Sequence, residues 1–135
     1  MSRVFVDTSA WVALFEKSDD KHREALACLD RIRAQRLRLV MSDLVFGESI
    51  TTALGRSGHR IAVNAGEYML QSGIVEIVWL DEILKRRAWD YFERHADKDY
   101  SFVDCTSFVL MKDMKVTKYL SFDEHFKQAG FSALS

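Results

Sequence analysis

Apolar residues alternate along the chain between short continuous runs and segments in which they recur every three or four positions. The runs at 3–7, 37–41, 74–80 and 116–122 are rich in β-branched, aliphatic and aromatic residues, which predicts β-strands. Residues 131–134 predict a short edge strand. Helices are expected at 8–15, from Asp19 or Asp20 to beyond Ile32, and at 44–56, 59–71, 81–95, 101–112 and 123–129.

Strands alternate with one or two helices over the whole length, and this order is typical of an α/β fold. We therefore predict a mostly parallel central sheet of about four or five strands, flanked by helices on both faces. The run at 74–80 is nearly continuous in apolar residues, which predicts a strand buried on both of its faces. No linker, repeat or low-complexity stretch interrupts residues 1–135, so a single domain is expected.

The formal net charge of −1 argues against binding of nucleic acid through bulk positive charge. It does not exclude a nuclease, because bound divalent cations offset clustered carboxylates locally. Cys28 and Cys105 lack partners at disulfide or zinc-ligand spacing, so a reducing compartment is expected. No apolar run is long enough to cross a bilayer and no signal peptide is recognised, which predicts a cytoplasmic protein without a membrane partner.

Two acidic residues stand where predicted strands end. Asp7 closes the first strand, and Asp123 directly follows the run at 116–122. In an open parallel sheet, ligands bind beyond the carboxyl ends of the strands, so both side chains are candidates for a functional site. The alternative is that each simply caps the helix that follows it.

Two further acids lie within apolar stretches of predicted helices. Glu48 has no Lys or Arg within one turn on its face, and Asp104 stands between Val103 and Cys105. A lone carboxylate in such surroundings costs several kcal/mol unless it is paired, protonated or bound to metal. The structural alternatives are that Glu48 pairs with a distant cationic side chain, or that Asp104 serves only as the carboxylate of a capping box begun by Ser101.

Carboxylates that converge in this way are the ligands expected of a hard divalent cation. A water activated by such a cation can attack a phosphodiester, so the acids together favour metal-dependent hydrolysis of a nucleic acid. Phosphoryl transfer through an aspartyl-phosphate is less well supported, because Ser9 stands where such phosphatases have a second acid. A receiver domain is disfavoured for the similar reason that paired acids after the first strand are missing.

Six segments, taken in order, resemble PIN-domain proteins, and especially the VapC-type toxins of toxin–antitoxin pairs. They span essentially the whole chain: Val4–Trp11, Asp20–His22, Ser42–Glu48, Leu54–Arg60, Ser101–Phe108 and Leu120–Phe131. The resemblance implies a single PIN domain with endoribonuclease activity that uses Mg²⁺ or Mn²⁺. The four acids that it places at the metal site are Asp7, Glu48, Asp104 and Asp123.

The same resemblance implies further site residues and partners. Ser9, with Thr8 as the alternative, and Ser107 match hydroxyl positions near the site. Phe122-Asp123 stands where many relatives have Thr-x-Asp, which predicts that a polar neighbour is lost while the acid is kept. The partners implied are an RNA substrate, a small cognate antitoxin and a second copy of the chain in a homodimer. A catalytically silent PIN domain acting as a binding module is the alternative function.

For several other polar and aromatic side chains, both a functional role and a simpler structural role are open. Arg56, His59 and Arg60 form a small basic patch that would either meet RNA phosphates or face solvent at a helix junction. Three histidines show no catalytic pairing in the sequence, and two loop acids precede the helix at 101. They are His22, His95 and His125, and Asp97 and Asp99. Trp11 and Phe15 are expected in the core, or else lining a groove for a partner helix.

Overall fold

The computed structural model describes residues 2–134, and in this part of the chain five strands alternate with seven helices. The strands are β1 (Arg3–Val6), β2 (Arg38–Ser42), β3 (Val75–Val78), β4 (Lys118–Leu120) and β5 (Ser132–Ala133). The helices are α1 (Thr8–Phe15), α2 (His22–Ala34), α3 (Asp43–Ser57), α4 (His59–Gln71), α5 (Glu82–Arg94), α6 (Phe102–Met114) and α7 (His125–Gln128).

All five strands belong to one parallel sheet in the order β3-β2-β1-β4-β5. The crossovers from β1 to β2 and from β2 to β3 step in one direction, whereas the crossover from β3 to β4 returns past β1. Because parallel crossovers are right-handed, α1–α4 lie on one face of the sheet and α5 and α6 lie on the other. The predicted α/β fold, with a parallel sheet and helices on both faces, is confirmed.

The core is centred on β1, whose Val4, Phe5 and Val6 are fully buried. On one side, Trp11 packs beneath the strand, and its indole Nε1 donates a hydrogen bond to the carbonyl oxygen of Val6 at 3.2 Å. Phe15 stacks on Trp11 at a ring-centroid distance of 6.3 Å and is only half-buried. The expectation that Trp11 belongs to the core is confirmed, and this packing fixes the start of α1 beneath the carboxyl end of β1.

The predicted strand within 74–80 is present, but the expectation that it is buried on both faces is wrong. Only Val75–Val78 forms a strand; it is half-buried and lies at the edge of the sheet, paired with β2 alone. Trp79, beyond its end, is 67% exposed. The helices pack over the central strands, so an edge strand is covered incompletely on each face. Its apolar composition therefore did not reveal its position.

The segment after β4 also differs from the prediction. The strand ends at Leu120, so Ser121–Asp123 form a turn outside the sheet, and α7 begins at His125 instead of at Asp123. This early end of β4 frees the side chains of the turn from the sheet. None of the helices in residues 2–134 has the length and apolar character needed to span a membrane.

Candidate active site

A cleft of about 540 Å³ opens at the carboxyl ends of β1 and β4, where the crossovers diverge in opposite directions. This is the position at which parallel α/β sheets bind their ligands. Asp7 enters the cleft from the end of β1, Glu48 from α3, Asp104 from the first turn of α6 and Asp123 from the turn after β4. The structure thus brings the four predicted acids together in one cavity.

Asp7 is the most deeply placed of these acids, with 4% of its surface exposed. Burial raises its pKa from 3.8 to about 7, and the charges of Asp123, Asp104 and Glu48 add to this effect, whereas the backbone N–H of Thr8 opposes it. Its Oδ2 accepts a hydrogen bond from the hydroxyl of Ser121 at 3.2 Å. Burial and the neighbouring carboxylates thus both disfavour the charged form of Asp7.

Asp104 is held by the start of its own helix. The hydroxyl of Ser101 accepts a hydrogen bond from the Asp104 backbone N–H at 2.9 Å, and Asp104 Oδ2 accepts one from the Ser101 N–H at 3.0 Å. These two bonds form a capping box, so one of the structural alternatives for Asp104 is realised. The carboxylate nevertheless faces the cleft and lies 2.8 Å from Nδ1 of His125. The side chain of Asp104 thus both caps α6 and lines the cleft.

Glu48 is exposed, which contradicts the expectation that it lies on a buried apolar face. The buried side of α3 consists of Val45, Ser49 and Ala53, so Glu48 projects into the cleft. No burial penalty therefore applies to Glu48. Its Oε1 accepts a hydrogen bond from the hydroxyl of Thr8 at 2.6 Å, and this contact orients the carboxylate.

A chain of hydroxyl groups connects the two strand ends. Ser121 donates to Asp7, and its Oγ lies 3.2 Å from the Oγ of Ser9. Ser9 in turn accepts the backbone N–H of Phe122 at 2.9 Å. The predicted loss of a polar neighbour at the Phe122-Asp123 position is therefore wrong, because Ser121, one residue earlier, supplies that hydroxyl group.

His125 is a site residue that the sequence interpretation missed. It lines the cleft, and its Nδ1 lies 2.8 Å from Asp104 Oδ2 and 3.9 Å from Asp123 Oδ1. Asp123 Oδ1 also accepts the backbone N–H of His125 at 2.9 Å. The Asp-x-His spacing at 123–125 was the only signal in the sequence, and it does not reveal proximity to Asp104.

Other predicted residues divide between the cleft and its surroundings. Ser107 is fully buried, and its hydroxyl donates to the carbonyl oxygen of Val103 at 3.1 Å within α6. Arg56 lines the cleft and forms an ion pair with Asp19 at 3.0 Å. The remaining two basic residues of the predicted patch, His59 and Arg60, are exposed at the start of α4, and His59 borders a separate apolar groove between α3 and α4.

The loop before α2 was not predicted to contribute, yet three of its residues line the cleft. They are Asp19, Asp20 and Lys21. The ammonium of Lys21 lies 6.0 Å from the centroid of the Phe122 ring, on the opposite wall. By contrast, Asp97 and Asp99 are exposed in the loop before α6. The cleft thus places two cationic side chains, Lys21 and Arg56, at the margin of the acidic centre.

Residues 4–132 match the PIN domain family. The chain belongs to this family. Among its relatives, the 23S rRNA-specific endonuclease VapC20 of Mycobacterium tuberculosis is 39% identical over 129 residues, which cover 95% of each chain. The VapC ribonuclease of Archaeoglobus fulgidus is 24% identical over 123 residues, covering 90% of this chain and 77% of the relative.

Solved structures agree with this assignment. The crystal structure of M. tuberculosis VapC20, a sarcin-ricin loop cleaving toxin, matches with a TM-score of 0.85 at 36% identity over 95% of each chain. FitAcB from Neisseria gonorrhoeae matches with a TM-score of 0.65 at 16% identity, covering 98% of this chain and 96% of that one. The latter similarity concerns the fold alone.

The acidic centre of this PIN domain fits a divalent cation. Donor atoms of Asp104, Asp123 and His125 all lie within 4.8 Å of one another. The buried Asp7 adds a carboxylate whose pKa is raised by burial and by the neighbouring acids. Bringing several carboxylates together is unfavourable unless a cation or protons neutralise them, so the residues present suit such an ion.

Proposed function

We propose that this PIN-domain protein is a Mg²⁺- or Mn²⁺-dependent endoribonuclease and the toxin of a VapBC-type pair. The observation that carries the proposal is the arrangement around the buried Asp7, which places three further carboxylates at the same end of the sheet. The similarity to VapC20 over 95% of both chains supports ribosomal RNA as the substrate class.

In the proposed reaction, Asp7 and Asp104 are the main ligands of the cation, and Asp123 supports it or a second, weaker one. The bound cation supplies Lewis-acid stabilisation of the charge that develops on the phosphoryl group. Ser121 and the capping box fix Asp7 and Asp104 in place before the cation binds. Such preorganisation removes the cost of arranging the ligands during the reaction.

Glu48 is the proposed general base. It is accessible in the cleft, and its hydrogen bond from Thr8 leaves the second carboxylate oxygen to accept a proton from the attacking water. The water oxygen forms a bond to phosphorus as the bond from phosphorus to the 3′ oxygen breaks, and that oxygen acquires a proton. The products are a 5′-phosphate and a 3′-hydroxyl end.

Substrate binding is assigned to the cationic margin of the cleft. Lys21 and Arg56 line the cleft together with the acids, and they are the cationic side chains proposed to contact a neighbouring phosphate of the same RNA strand. Cationic side chains position nucleic acid through its phosphates and carry no sequence information themselves. His59 and Arg60 lie outside the residues that line the cleft, at the start of α4, and would contact only a longer RNA.

The test is cleavage of a sarcin-ricin loop RNA and of an unstructured RNA by the purified chain, with Mg²⁺, Mn²⁺ or EDTA. We expect cleavage only with a divalent cation, with a 5′-phosphate on the downstream product. Asp7→Asn should abolish it, whereas Asp99→Asn, which changes an exposed loop acid, is the matched control. Cleavage that survives EDTA or Asp7→Asn would refute the mechanism. A folded, metal-loaded chain that cuts neither RNA would instead support a binding module.

The partners proposed are a small antitoxin that blocks the cleft and a second copy of the chain. Large apolar side chains remain exposed on and before α5, including Trp79, Ile83 and Trp89, and such exposure is typical of surfaces that meet another protein. Light scattering of the purified chain tests the homodimer. Co-purification with the product of the adjacent gene, together with loss of RNA cleavage in the complex, tests the antitoxin. The proposed place of action is the cytoplasm, where ribosomal RNA is found.

A further inference from the structure

The imidazole of His125 points into the acidic centre. This centre therefore presents a nitrogen atom as well as carboxylate oxygens. Its Nδ1 lies 2.8 Å from Asp104 Oδ2 and 3.9 Å from Asp123 Oδ1. The three side chains come from two different elements, α6 and the segment from the turn after β4 into α7. Carboxylates from both elements thus approach the same nitrogen.

The ring of His125 is fixed in this direction by contacts on its other sides. The buried ring of Tyr100 meets it edge to face at a centroid distance of 5.7 Å and an interplanar angle of 75°. The backbone N–H of His125 donates a hydrogen bond to Asp123 Oδ1 at 2.9 Å, which holds these two residues together. With 28% of the side chain exposed, the imidazole remains accessible from the cleft.

The spacing of these atoms suits the corners of an octahedron around a small divalent cation. At metal–ligand distances of about 2.1 Å, neighbouring ligand atoms lie about 3.0 Å apart and opposite ones about 4.2 Å apart. The distances from His125 Nδ1 to Asp104 Oδ2 and to Asp123 Oδ1, 2.8 and 3.9 Å, lie close to these two ligand–ligand distances. No large movement of the side chains is required for all three to reach one ion.

A role limited to orienting Asp104 explains the arrangement less well. Asp104 Oδ2 already accepts the backbone N–H of Ser101 in the capping box, so its direction is set without the imidazole. The proximity of the same nitrogen to Asp123 serves no purpose in that role, because Asp123 is held through the backbone N–H of His125. A shared ion accounts for both contacts at once.

We propose that His125 is a direct ligand, through Nδ1, of the divalent cation bound by Asp104 and Asp123, and that the site therefore prefers Mn²⁺ to Mg²⁺. The inference rests on the metal-dependent function proposed above. Mg²⁺ is a hard ion bound almost entirely by oxygen ligands, whereas Mn²⁺, as a first-row transition-metal ion, accepts imidazole nitrogen more readily. An imidazole in the ligand set thus favours Mn²⁺ over Mg²⁺.

The first test is electron spin-echo spectroscopy of the full chain loaded with Mn²⁺ alone. The wild-type protein should show ¹⁴N modulation that changes when histidine is labelled with ¹⁵N, and His125→Ala should lose it. His59→Ala is the matched control, because His59 is exposed at the start of α4 and its variant should retain the modulation. Circular dichroism confirms that each variant is folded.

The second test separates a ligand from an orienting hydrogen bond. His125→Asn keeps an N–H donor near Asp104 but removes the imidazole nitrogen. Loss even of an outer-shell partner costs about 10- to 100-fold in metal affinity, so absolute affinity alone does not distinguish the roles. We expect His125→Asn to lower the ratio of Mn²⁺ to Mg²⁺ affinity, measured by competition calorimetry, whereas loss of an orienting hydrogen bond alone would lower both affinities to the same extent.

Three outcomes would overturn the inference. They are a wild-type protein that binds Mn²⁺ without ¹⁴N modulation, a chain that binds no Mn²⁺ at millimolar concentration, and a His125→Asn variant with an unchanged affinity ratio. The first and third leave RNA cleavage, and with it the proposed function, intact. Conversely, ¹⁴N modulation in a chain that cuts no RNA would support the ligand and refute the ribonuclease.

Discussion

Replacing Asp7 with Asn should stabilise the metal-free protein at alkaline pH. The folded state raises the pKa of Asp7 from 3.8 to about 7, chiefly through burial. Between these values the folded protein keeps the proton that the unfolded chain releases. Stability from this group is therefore fully present below about pH 4 and is lost as the pH rises through 7.

The magnitude follows from the two pKa values. Their difference corresponds to about 4 kcal/mol of unfolding free energy, which the metal-free wild type loses between acid and alkaline pH. Asparagine has nearly the same shape, does not ionise and can still accept the hydrogen bond from Ser121. At about pH 4 the two proteins should thus be of similar stability, and at about pH 8 Asp7→Asn should be about 4 kcal/mol more stable.

Urea unfolding in EDTA, followed by circular dichroism at several pH values, measures this difference. Asp99→Asn serves as the control, because that acid is exposed and should shift the curve little at any pH. Saturating Mn²⁺ should stabilise the wild type at alkaline pH more than it stabilises Asp7→Asn, because the variant has lost one carboxylate ligand of the ion. If the curves of wild type and Asp7→Asn run parallel from pH 4 to pH 8, burial does not raise the pKa of Asp7 and the prediction is wrong.

Three more predictions concern separate properties of the site. Mn²⁺ affinity measured by calorimetry should fall as the pH drops below about 7, because protons compete for Asp7; a flat profile would exclude this residue as a ligand. Glu48→Gln should reduce RNA cleavage at least about 100-fold with little change in melting temperature, since the side chain is exposed; an equal loss of stability would point to a structural role. Ser101→Ala should cost about 1 kcal/mol in urea unfolding by removing the cap of α6, and it should weaken cleavage because the first turn of α6, which carries Asp104, loses the hydrogen bond from the Asp104 backbone N–H to the Ser101 hydroxyl; unchanged stability would contradict the capping box.

The strand-end acids were predictable from the sequence because their positions depend on local order. A parallel α/β pattern places the carboxyl end of every strand at the same edge of the sheet. Asp7 and Asp123 were therefore expected at that edge. Asp104 was also recognisable, three residues after a Ser cap. These placements depend on spacing along the chain and on a general rule of sheet topology.

Glu48 was placed in the site for a reason that the structure contradicts. Its helix carries apolar residues on several sides, and the side that packs inward is lined by Val45, Ser49 and Ala53. Periodicity alone does not settle which side that is, because small polar residues such as Ser49 can be buried. Only the resemblance to the family identified the acid correctly as a cleft residue.

Contacts that depend on how loops and helices pack against one another could not be predicted from the sequence. His125 meets Asp104 because the turn after β4 packs against the start of α6, and the loop containing Lys21 reaches the cleft from α2. The edge position of β3 likewise depends on strand order, which composition does not encode. These features arise from tertiary packing and have no local signature.

The order in which the sheet is completed has a consequence for the synthesis of this protein. Asp7 is made 114 residues before Ser121, whose hydroxyl bonds its carboxylate. β4 inserts beside β1 only after it has been made, and it brings Asp123 with it. A chain still emerging from the ribosome therefore holds no assembled centre until β4 and the turn after it have been translated. A ribonuclease built in this way lacks its complete site while β1, β2 and β3 and the helices between them are being made.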